Sequence, residues 1–219
     1  MPAGSFLKGE TMDNYVRALE YARGLFMKWN QEGIIARCRL RHDKDYLYLN
    51  FLGEPWRIER ASGIPQCISS DAAVNANFSE GLSIYDYLCG EAPFPALSGR
   101  FCPVNSLPHV AQSSPSAGDF HQRYADYFQE HIPALQAALD GMGIAPFPQG
   151  DIACLFPVFD GFNAVFQFWE GDEEFPPSVR FLWDENTPDC LKYETTYYVM
   201  GCFLARVNQK IADIERNCE

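Results

Sequence analysis

Apolar side chains recur at spacings of three and four through Tyr15, Leu19, Ala22, Phe26 and Trp29. This predicts an amphipathic helix over 12–30, with Thr11 as its N-cap and Gly33 as its stop. The period then falls toward two. Ile34–Leu40, Tyr46–Leu52 and Trp56–Arg60 read as three strands, punctuated by Arg41–Asp45, Gly53-Glu54-Pro55 and Ser62-Gly63. Within Tyr46–Leu52 apolar residues occupy both parities, which predicts a central strand covered on both faces.

A short helix is expected at Gly81–Cys89. From Glu91 to Gly118 the chain is rich in Pro, Ser and Gly and has no period, as in a functional loop or a connector. Asp119 can cap a second large helix with Phe120, Tyr124, Tyr127 and Phe128 on one face. Pro133 must kink that helix or start another turn, and Asp140-Gly141 ends it. Strands follow at Ile152–Pro157, Asn163–Trp169 and Ser178–Asp184. Asn186 or Thr187 then caps, and Pro188 opens, a last helix running to about Ile214.

Helix, strands, helix thus occur twice. Strands in hairpin-length groups argue against a doubly wound sheet. The fold expected is α+β, with antiparallel strand groups in one sheet or two adjoining ones, covered by three larger helices. The chain reads as one domain, 1–219, with a subdivision into 1–90 and 119–219 around the connector 91–118 as the alternative.

Composition narrows the partners. At 47% hydrophobic and 15% aromatic, the chain can bury a core. Its net charge is −12, and residues 151–219 hold 13 acidic against 5 basic side chains, so the acidity lies mainly in the last third. That sign repels phosphate backbones and anionic headgroups, so neither nucleic acid nor membrane is an expected partner. No apolar run is long enough to span a bilayer. MPAGSFLKGE lacks the pattern of a signal peptide, and the expected location is cytoplasmic.

The eight cysteines (38, 67, 89, 102, 154, 190, 202 and 218) form no C-x-x-C, which makes them small buried hydrophobes in a reducing compartment. A metal site assembled from distant cysteines is the alternative that spacing leaves open. His42 and His109 lie in loops. His121 and His131, ten residues apart on one helix, are about 15 Å apart and cannot share a metal. Cys102 and His109 sit seven residues apart in a loop, which fixes no nucleophile–base geometry.

Chemistry concentrates in FQFWEGDEEFPPS, Phe166–Ser178, where an aromatic strand runs into four carboxylates and a double proline. Glu170, Asp172, Glu173 and Glu174 are hard oxygen donors of the kind Ca²⁺ or Mg²⁺ takes, but not at EF-hand spacing. Solvation at a hairpin tip, protecting the strand edge, is the simplest account. Pairing with Arg180, Arg57 or Lys192 is another. Trp169, of opposite parity to Phe166 and Phe168, can be an exposed ring beside the acidic tip, a combination suited to a cationic or planar ligand. Asp184, Glu185, Asp189 and Glu194 form a second acidic group, explained by the positive end of a helix dipole. Should the two groups share one end of the sheet, six or more carboxylates would converge.

The run from Gly150-Asp151 through PVFDGFNAVFQFWEGDEEFPPSVRFLWDENTPDCLKYE, together with DYLYLNFLG at Asp45–Gly53 and SIYDYL at Ser83–Leu88, resembles domain-of-unknown-function family 3786. That is an uncharacterised bacterial and archaeal family, often from anaerobes. Some members are fused to a four-cysteine iron–sulfur domain, which this chain lacks, so the resemblance carries no cofactor over. The family has no assigned activity, and no catalytic residue transfers. The resemblance implies a ligand-binding or accessory module of anaerobic metabolism, its cofactor and its small-molecule or protein partner unknown. The acidic residues offer a metal- or carboxylate-dependent enzyme working through the hairpin around Asp172 as the alternative.

Overall fold

The computed structural model describes residues 6–90, 97–108 and 118–218, with the side chains of 6–13, 118–120 and 218 left aside. Among the described residues, six α-helices and ten strands make an α+β fold, and every strand pairing is antiparallel. The first helix, α1, runs Phe6–Phe26, so Thr11 lies inside it rather than at its start.

The stretch expected as a first strand is a helix, α2, Gln31–Cys38. Asn30 caps it, its side chain accepting from the Glu32 and Gly33 backbone N–H groups at 3.1 and 3.4 Å. Ile34, Ile35 and Cys38 are buried at a spacing that fits one helical face. Gly33 therefore opens a second helix instead of stopping the first. Arg39, in the left-handed region at φ 53°, ends it.

The first strand group comprises β1 (Arg41–His42), β2 (Tyr46–Phe51), β3 (Glu54–Glu59), β4 (Pro65–Cys67) and β5 (Val74–Asn75). Strand β2 alternates, contrary to the two-faced burial expected of it. Leu47, Leu49 and Phe51 are buried, while Tyr46, Tyr48 and Asn50 face outward. The outward tyrosines carry guanidinium groups on their rings, Arg57 on Tyr46 at 4.4 Å and Arg41 on Tyr48 at 5.5 Å, so their rings need no second layer. Leu52 and Gly53 both have positive φ (53° and 80°), giving the tight β2–β3 turn the twist that flanking strands favour.

Helix α3 (Phe78–Leu88) begins in a capping box between Asn77 and Glu80. The connector after it is not structureless. Phe101–Pro103 forms β6, paired with the strand Ser178–Asp184, before a 3₁₀ turn at Val104–Ser106. Three residues offer no period to read. Pro133 separates α4 (Gly118–Glu130) from α5 (Ile132–Gly141), and since α4 begins at Gly118, Asp119 is not its cap.

The second group is β7 (Ala145–Pro146), β8 (Ile152–Phe159), β9 (Phe162–Trp169) and β10 (Ser178–Asp184), closed by β6. Here β9 is the strand covered on both faces. Phe162, Ala164, Phe166 and Phe168 are buried on one side, Val165 and Gln167 on the other. Gln167 satisfies its amide by donating to the Gln149 carbonyl at 2.9 Å. Pro188 opens only a 3₁₀ turn, and the last helix, α6, runs Tyr193–Cys218. Its buried Val199, Met200, Phe203, Leu204, Val207 and Ile211 form one stripe. Phe203 stacks on Phe156 at 4.1 Å, and Phe128 of α4 meets Phe166 and Phe168 edge-on.

One sheet joins both groups, in the order β5-β4-β3-β2-β8-β9-β10-β6, with β1 beside β2 and β7 beside β8. The junction is narrow. Strands β2 and β8 overlap only where Phe51 faces Phe159, with the Leu52 N–H donating to the Val158 carbonyl at 3.0 Å. Side chains supply what the ladder lacks. Asn50 donates through its backbone and its amide to the Asp160 carboxylate at 3.1 and 2.7 Å. Arg206 of α6 donates to the Leu52 carbonyl at 2.7 Å and pairs with Glu54 at 3.3 Å.

Candidate functional site

The acidic run occupies the turn between β9 and β10, whose ends meet at Trp169 and Ser178. Glu170, Asp172, Glu173 and Glu174 are all exposed there, and so are Trp169 and Phe175. Asp172 is engaged by its own backbone: its Oδ1 accepts from the Glu174 and Phe175 N–H groups, each at 2.8 Å. The next turn inward is fixed from elsewhere, since the Glu170 N–H donates to Asp151 and the Gly171 N–H to Gln129. A Cβ on Gly171 would lie 2.7 Å from Pro177, so the tight return requires glycine. Two of the three cations considered as partners, Lys192 and Arg57, are used elsewhere: Lys192 pairs with Asp86, and Arg57 bonds Gln66 and covers Tyr46.

Those backbone bonds hold the Asp172 carboxyl below the usual carboxylate range. A carboxyl whose folded pKa is depressed stabilises the tip above its unfolded pKa, and the contribution disappears as pH falls through the folded value. Asp172→Ala should therefore lower the melting temperature at pH 7. The gap to wild type should close below about pH 4. Thermal melts at both pH values check this, and a gap that persists in acid would contradict the assignment.

Asp184 sits at the other end of β10, about 20 Å away along a seven-residue strand. The two acidic groups thus do not converge, and among the described residues no three His, Cys, Asp or Glu side chains are placed to hold a metal ion. Asp184 is 1% exposed. Its carboxylate accepts from the Ser98, Gly99 and Asn186 backbone N–H groups at 3.1, 2.7 and 2.9 Å and from the Ser98 hydroxyl. It pins the segment leading into β6 to the end of β10. Arg100 and Glu185 form an ion pair over the same junction. The helix start expected to explain Glu185 and Asp189 is capped from another element. Asp86 of α3 accepts from the Lys192 N–H at 2.8 Å and the Thr195 hydroxyl at 2.7 Å, meeting the positive end of α6.

The seven cysteines with described side chains are free thiols. Burial raises the pKa of Cys89 to about 11 and those of Cys154, Cys190 and Cys202 to about 12, leaving them protonated and poor nucleophiles. Burial raises Cys102 too, and His109 lies outside the described residues. His121 packs near Phe181 and is kept neutral by burial. His131, in the break between α4 and α5, bonds Glu215 at 2.5 Å.

The apolar groove lies between α1, α3 and the start of α6. Two adjoining clefts, of about 230 and 510 Å³, share Leu25, Asp86, Cys89 and Lys192 in their walls. Leu82, Tyr85 and Tyr198 line the smaller half, Trp29, Pro188 and Leu191 the larger. Asp86 holds Lys192 between them, Oδ1 to Nζ at 2.8 Å, and the Lys192 ammonium remains largely exposed. Asp86 and Lys192 are 106 residues apart in the chain. Nothing local marks their meeting, although SIYDYL and DCLKYE both lie in the segments that carry the family resemblance.

An antiparallel α+β fold with an apolar groove and no metal cluster among its described residues defines a class broader than any one activity. Residues 30–206 match the family model described as "Domain of unknown function (DUF3786)", and the chain belongs to that family. The match spans α2 through the first half of α6 and leaves α1, one wall of the groove, outside it. No curated protein and no solved structure matches the chain. Among the described residues no helix is long and apolar enough to cross a membrane.

Proposed function

We propose that the chain is a binding module whose ligand lies in the groove between α1, α3 and α6. The observation that carries this reading is that two adjoining clefts share the fixed Asp86–Lys192 pair in their walls. Ligand sites are concave and mostly apolar, with a few fixed polar groups, and of several hundred cubic ångströms. The groove has that size and composition, whereas the acidic tip is convex and solvated. The ligand is an organic molecule with an elongated apolar body and one acceptor group for the Lys192 ammonium. An accessory role in anaerobic metabolism, the setting the family resemblance implies, is compatible with such a module.

Nile red, an uncharged apolar dye, tests the groove. It should bind the protein saturably with a blue-shifted emission. Leu25 is 38% exposed, so Leu25→Gln should leave the fold intact. Losing its apolar contact should weaken dye binding about tenfold. Equal binding by wild type and Leu25→Gln would refute the groove as the site.

A further inference from the structure

A separate cleft of about 330 Å³ opens between α4 and α6, lined by Arg123, Tyr124, Tyr127 and Asn208. Asn208 occupies a place on α6 between buried Val207 and Ile211, where an apolar side chain would pack without cost. Instead its amide Oδ1 is sealed from solvent with no hydrogen-bond partner. An unmet buried carbonyl is destabilising, and folded proteins keep few of them. With Oδ1 turned inward, the Nδ2 group is the end of the amide left to face the cleft.

The opposite wall adds donors. Arg123 is exposed and enters no ion pair among the described residues, in a chain with 29 carboxylates to 17 Lys and Arg. Burial raises the Tyr124 and Tyr127 pKa values, so both phenols stay protonated. The Tyr127 ring packs on His131 at 4.3 Å, and the His131–Glu215 bond holds that ring in turn, so this wall is fixed in advance. Guanidinium, amide N–H and phenol all donate. Among the described residues, two aromatic rings supply further surface.

We propose that this cleft binds a small aromatic carboxylate, its two oxygens taken by the Arg123 guanidinium and the Asn208 amide and its ring lying against Tyr124 and Tyr127. A planar carboxylate matches the fork of an arginine in a way that a spherical anion does not. The site is independent of the groove between α1, α3 and α6. Neither proposal falls with the other.

Benzoate is the probe, read by saturation-transfer NMR on the full chain, with benzyl alcohol as its uncharged counterpart. Benzoate should titrate in the millimolar range and benzyl alcohol should not. Arg123→Gln should weaken benzoate at least about tenfold, the scale of one charge-assisted hydrogen bond. Asn208→Leu should weaken benzoate about threefold or more and raise the melting temperature, because it replaces an unmet amide by an apolar group of similar size. A lowered melting temperature with unchanged benzoate affinity would make Asn208 structural and overturn the proposal. So would equal binding of benzyl alcohol, no benzoate transfer at 10 mM, or displacement of benzoate by equimolar inorganic phosphate.

Discussion

Replacing Asp184 by alanine should destabilise the protein by about 3 kcal/mol, through loss of a buried acceptor on which three backbone N–H groups converge. The carboxylate is 1% exposed and takes no cation directly, so what compensates its charge is the set of oriented donors from Ser98, Gly99 and Asn186. Removing it leaves those donors without their acceptor. Ser98 and Gly99 are exposed enough to reach water, which keeps the cost below that of a fully enclosed cluster. The loss should also be local in character. Segment 97–100 would no longer be held to the end of β10, and β6, only three residues long, would lose the anchor at its start. Urea denaturation should show a lower midpoint, and hydrogen exchange should show early loss of protection at the Leu182–Pro103 to Asp184–Phe101 pairing. Asp184→Asn is the sharper comparison, since it keeps the shape but turns one acceptor into a donor facing another donor. Its destabilisation should approach that of alanine. A value near zero for either variant would show that the N–H groups are met some other way.

How much of this was legible depended on whether the determining contact was local. Strands β8 and β10 follow from alternation of bulky apolar residues, because there the burial pattern repeats along the segment itself, whereas β9 is buried on both faces. The stretch Ile34–Leu40 misled because seven residues with apolar side chains at 34, 35, 38 and 40 satisfy either period. Asn30, read as the tail of the preceding helix, is in fact the cap that decides it. Strand β6 could not be read, since three residues in a proline-rich stretch have no pattern and their partner lies 80 residues on. The acidic hairpin was found because like charges in a row are conspicuous, yet conspicuous residues are those left in solvent. That Asp184 lies far from it follows from both being ends of one strand. The groove was missed for the opposite reason. Leu25, Asp86 and Lys192 are ordinary in their own segments, and only the packing of three helices brings them together.

Arg206→Leu should cost about 3 kcal/mol and act first at the seam between the two strand groups. Ladder pairing across that seam amounts to Phe51 opposite Phe159 and one further backbone bond, far less than the full-length pairings of β2 with β3 or β8 with β9. The guanidinium makes up the difference from outside the sheet. It is 13% exposed, donates to the Leu52 carbonyl at 2.7 Å and pairs with Glu54, so α6 ties down the turn that carries β2 to the junction. That turn needs tying, because Leu52 holds a left-handed φ of 53° that a side chain tolerates at about 1 kcal/mol or more. Without Arg206, the Leu52 carbonyl loses its donor and Glu54 its cationic partner, though Glu54 keeps the Cys67 thiol and the Ser69 hydroxyl. The leucine keeps the apolar contact of the arginine stem, so the loss measured is that of the polar contacts. Hydrogen exchange at the Leu52 N–H, which bonds Val158 across the seam, should then speed up before exchange in β9 does. Asn50→Ala, removing the amide half of the second clamp, the one that holds Asp160, should add to the effect rather than duplicate it. The two clamps grip different strands, Arg206 the β2–β3 turn and Asn50 the β8–β9 turn, so in the double variant the seam should melt as a separate transition. A double variant that still unfolds in one sharp step would mean that helix packing, not these side chains, joins the halves of the sheet.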